Sequence, residues 1–143
     1  MTKGIEISIS KRKLYSLFLL NLMKEIEGTT RFHKLMFILK QEHNIPIDYK
    51  FIKYHYGPFS SELREDINFF TEQNFMNSNS LFIGEDEKGY PIIKTTYKIS
   101  NKGKKIFEKQ FAKKEEKELF IKAISKWGKA PLNKLIAHAK SLQ

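Results

Sequence analysis

The chain has 143 residues, a formal net charge of +10, 41% hydrophobic residues and no cysteine. That length suits one domain with a core of its own, and the missing cysteine excludes disulfides, thiolate metal sites and a Cys nucleophile. The charge is uneven: residues 73–143 carry fifteen Lys against seven Asp and Glu, whereas residues 1–72 carry eleven Lys and Arg against nine acids.

In chain order, residues 1–9 read as a strand or arm, since Ile5, Ile7 and Ile9 alternate with polar residues. Neither this terminus nor the apolar window Leu14 to Met23 is long enough for a signal peptide or a membrane span, so the expected location is cytoplasmic. Ser10 then reads as the N-cap of a first helix from Lys11 to Ile26, apolar on more than one stripe and stopped by Gly28. A second helix starts at Thr29 or Thr30, with Phe32, Leu35, Met36 and Leu39 inward and Arg31, Lys34 and Lys40 towards solvent. An aromatic stretch from Tyr49 to Phe59 breaks at Gly57-Pro58, where Gly relaxes the backbone and Pro removes an N–H. Ser60 or Ser61 caps a third helix to Glu72 that buries Leu63, Ile67 and Phe70. Asn77 to Ser80 reads as a turn, and a hairpin over 81–99 folds around the charged loop Glu85 to Gly89. Ser100 caps a basic helix with Ile106, Phe107 and Phe111 inward; Glu115, Glu116 and Glu118 open the next, which ends at Gly128. Pro131 suits the first turn of a last helix through Ser141.

The run Tyr54-His55-Tyr56-Gly57-Pro58-Phe59-Ser60-x-x-Leu63 resembles the Tyr-Gly-Pro-(Phe/Tyr/Val)-Ser-x-x-Leu signature of YwgA-like proteins and of the related SocA-like Panacea antitoxin domains. Thr30 to Leu39 is similar to that group's second helix and Leu132-x-x-Leu135-Ile136 to its closing helix, although the aromatic pair and Tyr-Pro that often follow are replaced by Ala137-His138-Ala139-Lys140. The resemblance covers roughly residues 10–140. It implies a small helical or winged-helix-like binding domain, in some members neutralising a toxin, and brings no active site.

The predicted fold is α+β and predominantly helical: a single winged helix-turn-helix-like domain over 1–143, with a core over 10–114, one β-hairpin and extra C-terminal helices over 115–143. The lysines of the fourth helix, Lys102, Lys104, Lys105 and Lys109 with Lys113 and Lys114 beyond, join Lys94 and Lys98 on the preceding strand as candidate phosphate contacts, against the alternative of a solvated helix face. The third helix occupies the recognition position yet carries Glu62, Glu65 and Asp66, so Arg31, Lys34, Arg64 and Asn68 are the weaker nucleic-acid candidates. Tyr54, Tyr56, Phe59, Glu62 and Glu65 are the candidate contacts to a protein partner. The four histidines show no ligand spacing, no phosphate-loop pattern occurs, and neither a metal, a cofactor nor catalysis is expected. Trp127 reads as a seal between terminal helices.

Two functions remain open at this point. The first is a non-catalytic DNA-binding or regulatory module of winged-helix type, gripping the DNA backbone through a lysine-rich wing and the helix after it. The alternative is an antitoxin-like module that neutralises or presents a partner protein. A homodimer through residues 115–141 is compatible with either.

Overall fold

The computed structural model describes residues 9–110 and 114–143. The expected N-terminal strand, apart from Ile9, and the inward Phe111 lie outside the described residues, as does Lys113. Ile9 is buried but belongs to no strand.

Among the described residues, six helices and five strands follow in the order α1 (Lys11–Met23), β1 (Glu25–Glu27), α2 (Thr29–Gln41), β2 (Ile52–Tyr54), β3 (Gly57–Phe59), α3 (Ser61–Glu72), β4 (Met76–Glu85), β5 (Pro91–Ile99), α4 (Asn101–Gln110), α5 (Lys114–Trp127) and α6 (Leu132–Ser141). The protein is thus mixed α and β, with more helix than strand, and a long hairpin follows the third helix. The strands form two antiparallel sheets: three strands in the order β1-β5-β4, and the small β2-β3 pair.

Both α1 and α2 are central. Seven consecutive residues of α1, Leu14 to Leu20, are buried, and eight of α2, Phe32 to Leu39. Helices covered all round need neighbours on every side, which β1, β5 and helices α4 to α6 supply. Aromatic rings fill much of the space between them. Phe18 stacks on Phe107 at 5.4 Å and meets Phe120 at 4.8 Å, while Tyr15, Tyr49, Phe32, Phe70 and Phe75 are fully buried.

The first helix ends earlier than its composition suggests. Lys24 takes a left-handed φ of 67°, and Glu25 to Glu27 leave the helix to pair with Lys98 to Thr96 of β5. Ile26, read as helical, is therefore a strand residue whose side chain enters the core. Likewise Asn77 to Ser80 form no turn. They are paired with Lys98 to Thr95, so the hairpin begins at Met76 rather than 81. Its turn is stabilised as expected of an Asx turn, with Asp86 Oδ1 accepting from the N–H groups of Lys88 and Tyr90.

The helix ends follow capping chemistry. Ser60 Oγ accepts from Leu63 N at 3.2 Å to start α3, and Ser100 Oγ accepts from Gly103 N at 3.0 Å to start α4. Pro131 occupies the cap of α6 rather than its first turn. Trp127, at the end of α5, stacks on His138 of α6 at 4.0 Å, and His138 in turn reaches Glu42 at 2.8 Å. Among the described residues, no helix is long and apolar enough to cross a membrane.

Candidate protein-docking surface

The Tyr-Gly-Pro-Phe-Ser run forms a pinned turn. Strand β2 pairs with β3 through Ile52 with Phe59, Lys53 with Pro58 and Tyr54 with Gly57. Two neighbouring side chains of α2 hold this hairpin from below. Lys34 Nζ donates to the Pro58 carbonyl at 2.8 Å, and the ring of His33 stacks on Phe59 at 4.6 Å. His33 also reaches the carbonyls of Thr29 at 2.8 Å and Ser60 at 3.0 Å. Burial lowers the pKa of His33, with the two carbonyls acting the opposite way. A neutral ring carries one N–H and donates to one of them.

Lys34 was expected in solvent; instead it is 3% exposed. Its carbonyl partner and the burial of its stem explain the reversal: the stem packs against Gly57 while the ammonium donates to the Pro58 carbonyl. Desolvation, with the charge of Lys140 nearby, lowers its pKa to about 8. Gly57 has a φ of +97°, and a Cβ there would stand 3.1 Å from Lys34 Cε. Glycine is thus required by backbone and by neighbour alike.

What this buried clamp presents is mainly apolar and aromatic, with Lys53 and His55 exposed among it. Ile52, Tyr54 and Tyr56 are 60%, 58% and 64% exposed on the outer side of the hairpin. Tyr54 lies tilted against His55 and Phe59, at 5.1 and 5.6 Å, while Phe59 is half-buried beneath it. Ile52 was not among the sequence candidates, although its place two residues before Tyr54 on one strand carries the signal.

Helix α3 leads away from this turn. Glu65, Arg64 and Asn68 are exposed on it. Glu62 is tied down, accepting from Lys50 N at 2.7 Å and meeting Arg12 Nη1 at 3.5 Å. Asp66, expected on a solvated acidic face, is buried. Arg12 reaches it through Nε at 3.0 Å and Nη2 at 3.3 Å, Lys13 Nζ lies 3.4 Å away, and Tyr49 Oη donates to it at 2.6 Å. Two cations and a phenol satisfy this carboxylate, which ties α3 to α1 and to the segment before β2. Burial, then the charge of Asp66, raises the pKa of Tyr49 well above its usual value.

Two of the nucleic-acid candidates, Lys34 and Arg31, are engaged inside the protein. Arg31 is half-buried, its Nη1 donating to the carbonyls of Ala130 at 2.8 Å and Gly128 at 3.4 Å, so it braces the turn between α5 and α6. On the sheet, Lys94 lies 3.2 Å from Glu27 and Lys98 lies 3.5 Å from Glu25. Strand β1 therefore places a carboxylate opposite each wing lysine. These glutamates were absent from the sequence candidates because Glu25 and Ile26 read as the end of the first helix and Glu27 as its junction with Gly28. On α4, Lys102 sits over the Phe75 ring at 5.4 Å, and Lys104, Lys105 and Lys109 are exposed.

An open groove of about 580 Å³ runs between the end of α1, β1 and the α5–α6 turn, lined by residues including Met23, Lys24, Arg31 and Lys129. Among the described residues, no three of His, Cys, Asp and Glu gather where a metal ion could be held. Comparison of the chain with protein-family models, with curated proteins and with solved structures finds no match.

Proposed function

We propose that this protein is a non-catalytic protein-binding module that docks a partner through the β2–β3 hairpin and the adjoining start of α3. The observation that carries this reading is the pairing of a rigid underside with an apolar outside: buried Lys34 and His33 fix the turn that displays Ile52, Tyr54 and Tyr56. Tyrosines on a pre-ordered backbone give large contact area at little entropic cost, and exposed apolar clusters mark interaction sites. Glu65, with Arg64 beside it, would form the polar rim of such a contact.

The likeness of Tyr54 to Leu63 to the Panacea antitoxin signature supports the same class of job, with a toxin as the partner. In that reading the recurring Tyr-Gly-Pro-Phe-Ser residues divide into clamp and display. Gly57, Pro58 and Ser60 serve the backbone, and the tyrosines serve the partner.

The second reading is a DNA-binding module of winged-helix type, favoured by the order of three helices and a hairpin and by the exposed lysines of α4. It loses support from the wing, where Lys94 and Lys98 face glutamates, and from Lys34, which faces a carbonyl.

The test is photo-crosslinking in cells of the source organism with benzoylphenylalanine placed at Tyr56 and, separately, at Lys105. A discrete protein adduct at Tyr56, absent at Lys105, is the expected result. Adducts at Lys105 alone, or nucleic acid as the crosslinked species, would overturn the reading.

A further inference from the structure

Strand β4 is the outer strand of the three-stranded sheet and ten residues long. Its free edge is legible from the hydrogen bonding. Ser100 N donates to the Phe75 carbonyl, and Gly28 N donates to Thr95 O on the far side of β5. Backbone groups alternate sides along a strand, so Asn77, Asn79 and Leu81 bond to β5 while Ser78, Ser80 and Phe82 turn their N–H and C=O groups outward.

Folded proteins usually guard such an edge with lysine, proline or an inward charge. Residues 76–84 hold none of these. Leu81, Phe82 and Ile83 are instead about 60% exposed, with Tyr90, Ile92 and Ile93 exposed across the hairpin. The register shift between Phe82 and Gly84 lies at the far end of this stretch, so the regular edge runs from Met76 to Phe82.

We infer that β4 pairs with β4 of a second copy of this chain, antiparallel and centred on Leu81, joining the two sheets into one of six strands. Two features select a second copy over another partner. First, the edge is neutral, so two chains of net charge +10 meet along it without opposed lysines, whereas a partner chosen by charge would find nothing on it to bind.

Second, the hairpin is polarised. Glu85, Asp86 and Glu87, with Lys88 beside them, leave its tip negative on balance, and Lys102 stands at its base beside Lys98, which Glu25 already pairs. Antiparallel self-pairing lays each tip against the other base, which makes the contact complementary at both ends. The centring follows from orientation and burial. With Leu81 facing Leu81 of the second copy, the outward groups of Ser80 meet those of Phe82, and the exposed apolar side chains collect about the two-fold axis. This surface is separate from the β2–β3 hairpin, so the inference stands whether or not that hairpin binds a partner.

The test is sedimentation velocity on the full chain from low to high micromolar concentration, with the variants Ser80→Pro and Leu81→Lys. Proline at 80 removes an N–H that points away from β5, so the hairpin itself keeps its bonds. A wild-type dimer that falls to monomer in both variants, with unchanged circular dichroism, is expected, with at least a tenfold rise in dissociation constant. Should Ser80→Pro fail to fold, Leu81→Lys together with hydrogen exchange at Ser80 and Phe82, protected in the dimer and exchanging on dilution, decides the matter. A wild-type chain that stays monomeric throughout, or a dimer indifferent to the variants that fold, would overturn the inference.

Discussion

Lys34 Nζ donates to the Pro58 carbonyl from inside the protein, at 2.8 Å, and so couples the middle of α2 to strand β3 of the hairpin. The ammonium meets a carbonyl there rather than a carboxylate, and its pKa is lowered to about 8, by desolvation and then by Lys140. For a base with a lowered folded-state pKa, the unfolded chain binds more protons between the folded and unfolded values, so stability rises with pH across that interval. Between pH 7.5 and 9.5 the wild-type protein should gain about 2 kcal/mol relative to Lys34→Met, on the scale of 1.36 kcal/mol for each pKa unit. Urea titrations at the two pH values measure this. Parallel behaviour of the two proteins would place the amine in water. The comparison stops below pH 10, because burial raises the pKa values of Tyr49 and Tyr97, so that above it the unfolded chain loses those protons first and stability falls as pH rises.

Gly57→Ala tests the same clamp from the other side. The positive φ and the 3.1 Å approach to Lys34 Cε should together cost about 1–3 kcal/mol, read as a lowered urea midpoint at unchanged slope. Gly84 has a φ of +144° but nothing within 4 Å of a Cβ there, so Gly84→Ala should cost less. Equal losses would mean that Lys34 does not crowd the position.

Asp66→Asn keeps the shape of the side chain and removes its charge. It leaves Arg12 and Lys13 without the buried carboxylate they share, and breaking a buried ion pair costs about 3–5 kcal/mol. The exposed pairs Lys94 with Glu27 and Lys98 with Glu25 should contribute at most about 1 kcal/mol each. Thermal denaturation of Asp66→Asn and Lys98→Ala ranks the two; a larger loss in the second would contradict the burial of Asp66.

Much of the fold was legible because its punctuation is local. Gly28, Gly57-Pro58, Ser60, Ser100 and Gly128 act through φ preferences and capping that neighbouring residues decide, and each marks a boundary in the structure. What was not legible depends on distant partners. Glu25 to Glu27 are a strand because β5 lies beside them, and three residues carry too little periodicity to reveal it. Helical spacing alone sends Lys34 and Asp66 to solvent. Only the Pro58 carbonyl, 24 residues away, and Arg12, 54 residues away, bring them inside. The same limit applies to the candidate site. The aromatic turn and the wing lysines both stood out, whereas the pairing of those lysines did not, since their glutamates belong to the unread strand.

Tyr54→Ser with Tyr56→Ser should leave stability within about 0.5 kcal/mol of wild type, since both rings are mostly exposed. Denaturant titration checks this, and a larger loss would make the rings part of the core.

The most direct measurement is a titration of the crosslinked partner, once purified, against three proteins: wild type, Tyr54→Ser/Tyr56→Ser, and Lys104→Glu/Lys105→Glu. Docking through the β2–β3 hairpin predicts at least a tenfold loss of affinity in the tyrosine variant and little change in the lysine variant. Full affinity in the tyrosine variant with loss in the lysine variant would contradict it, and would move the binding surface to α4.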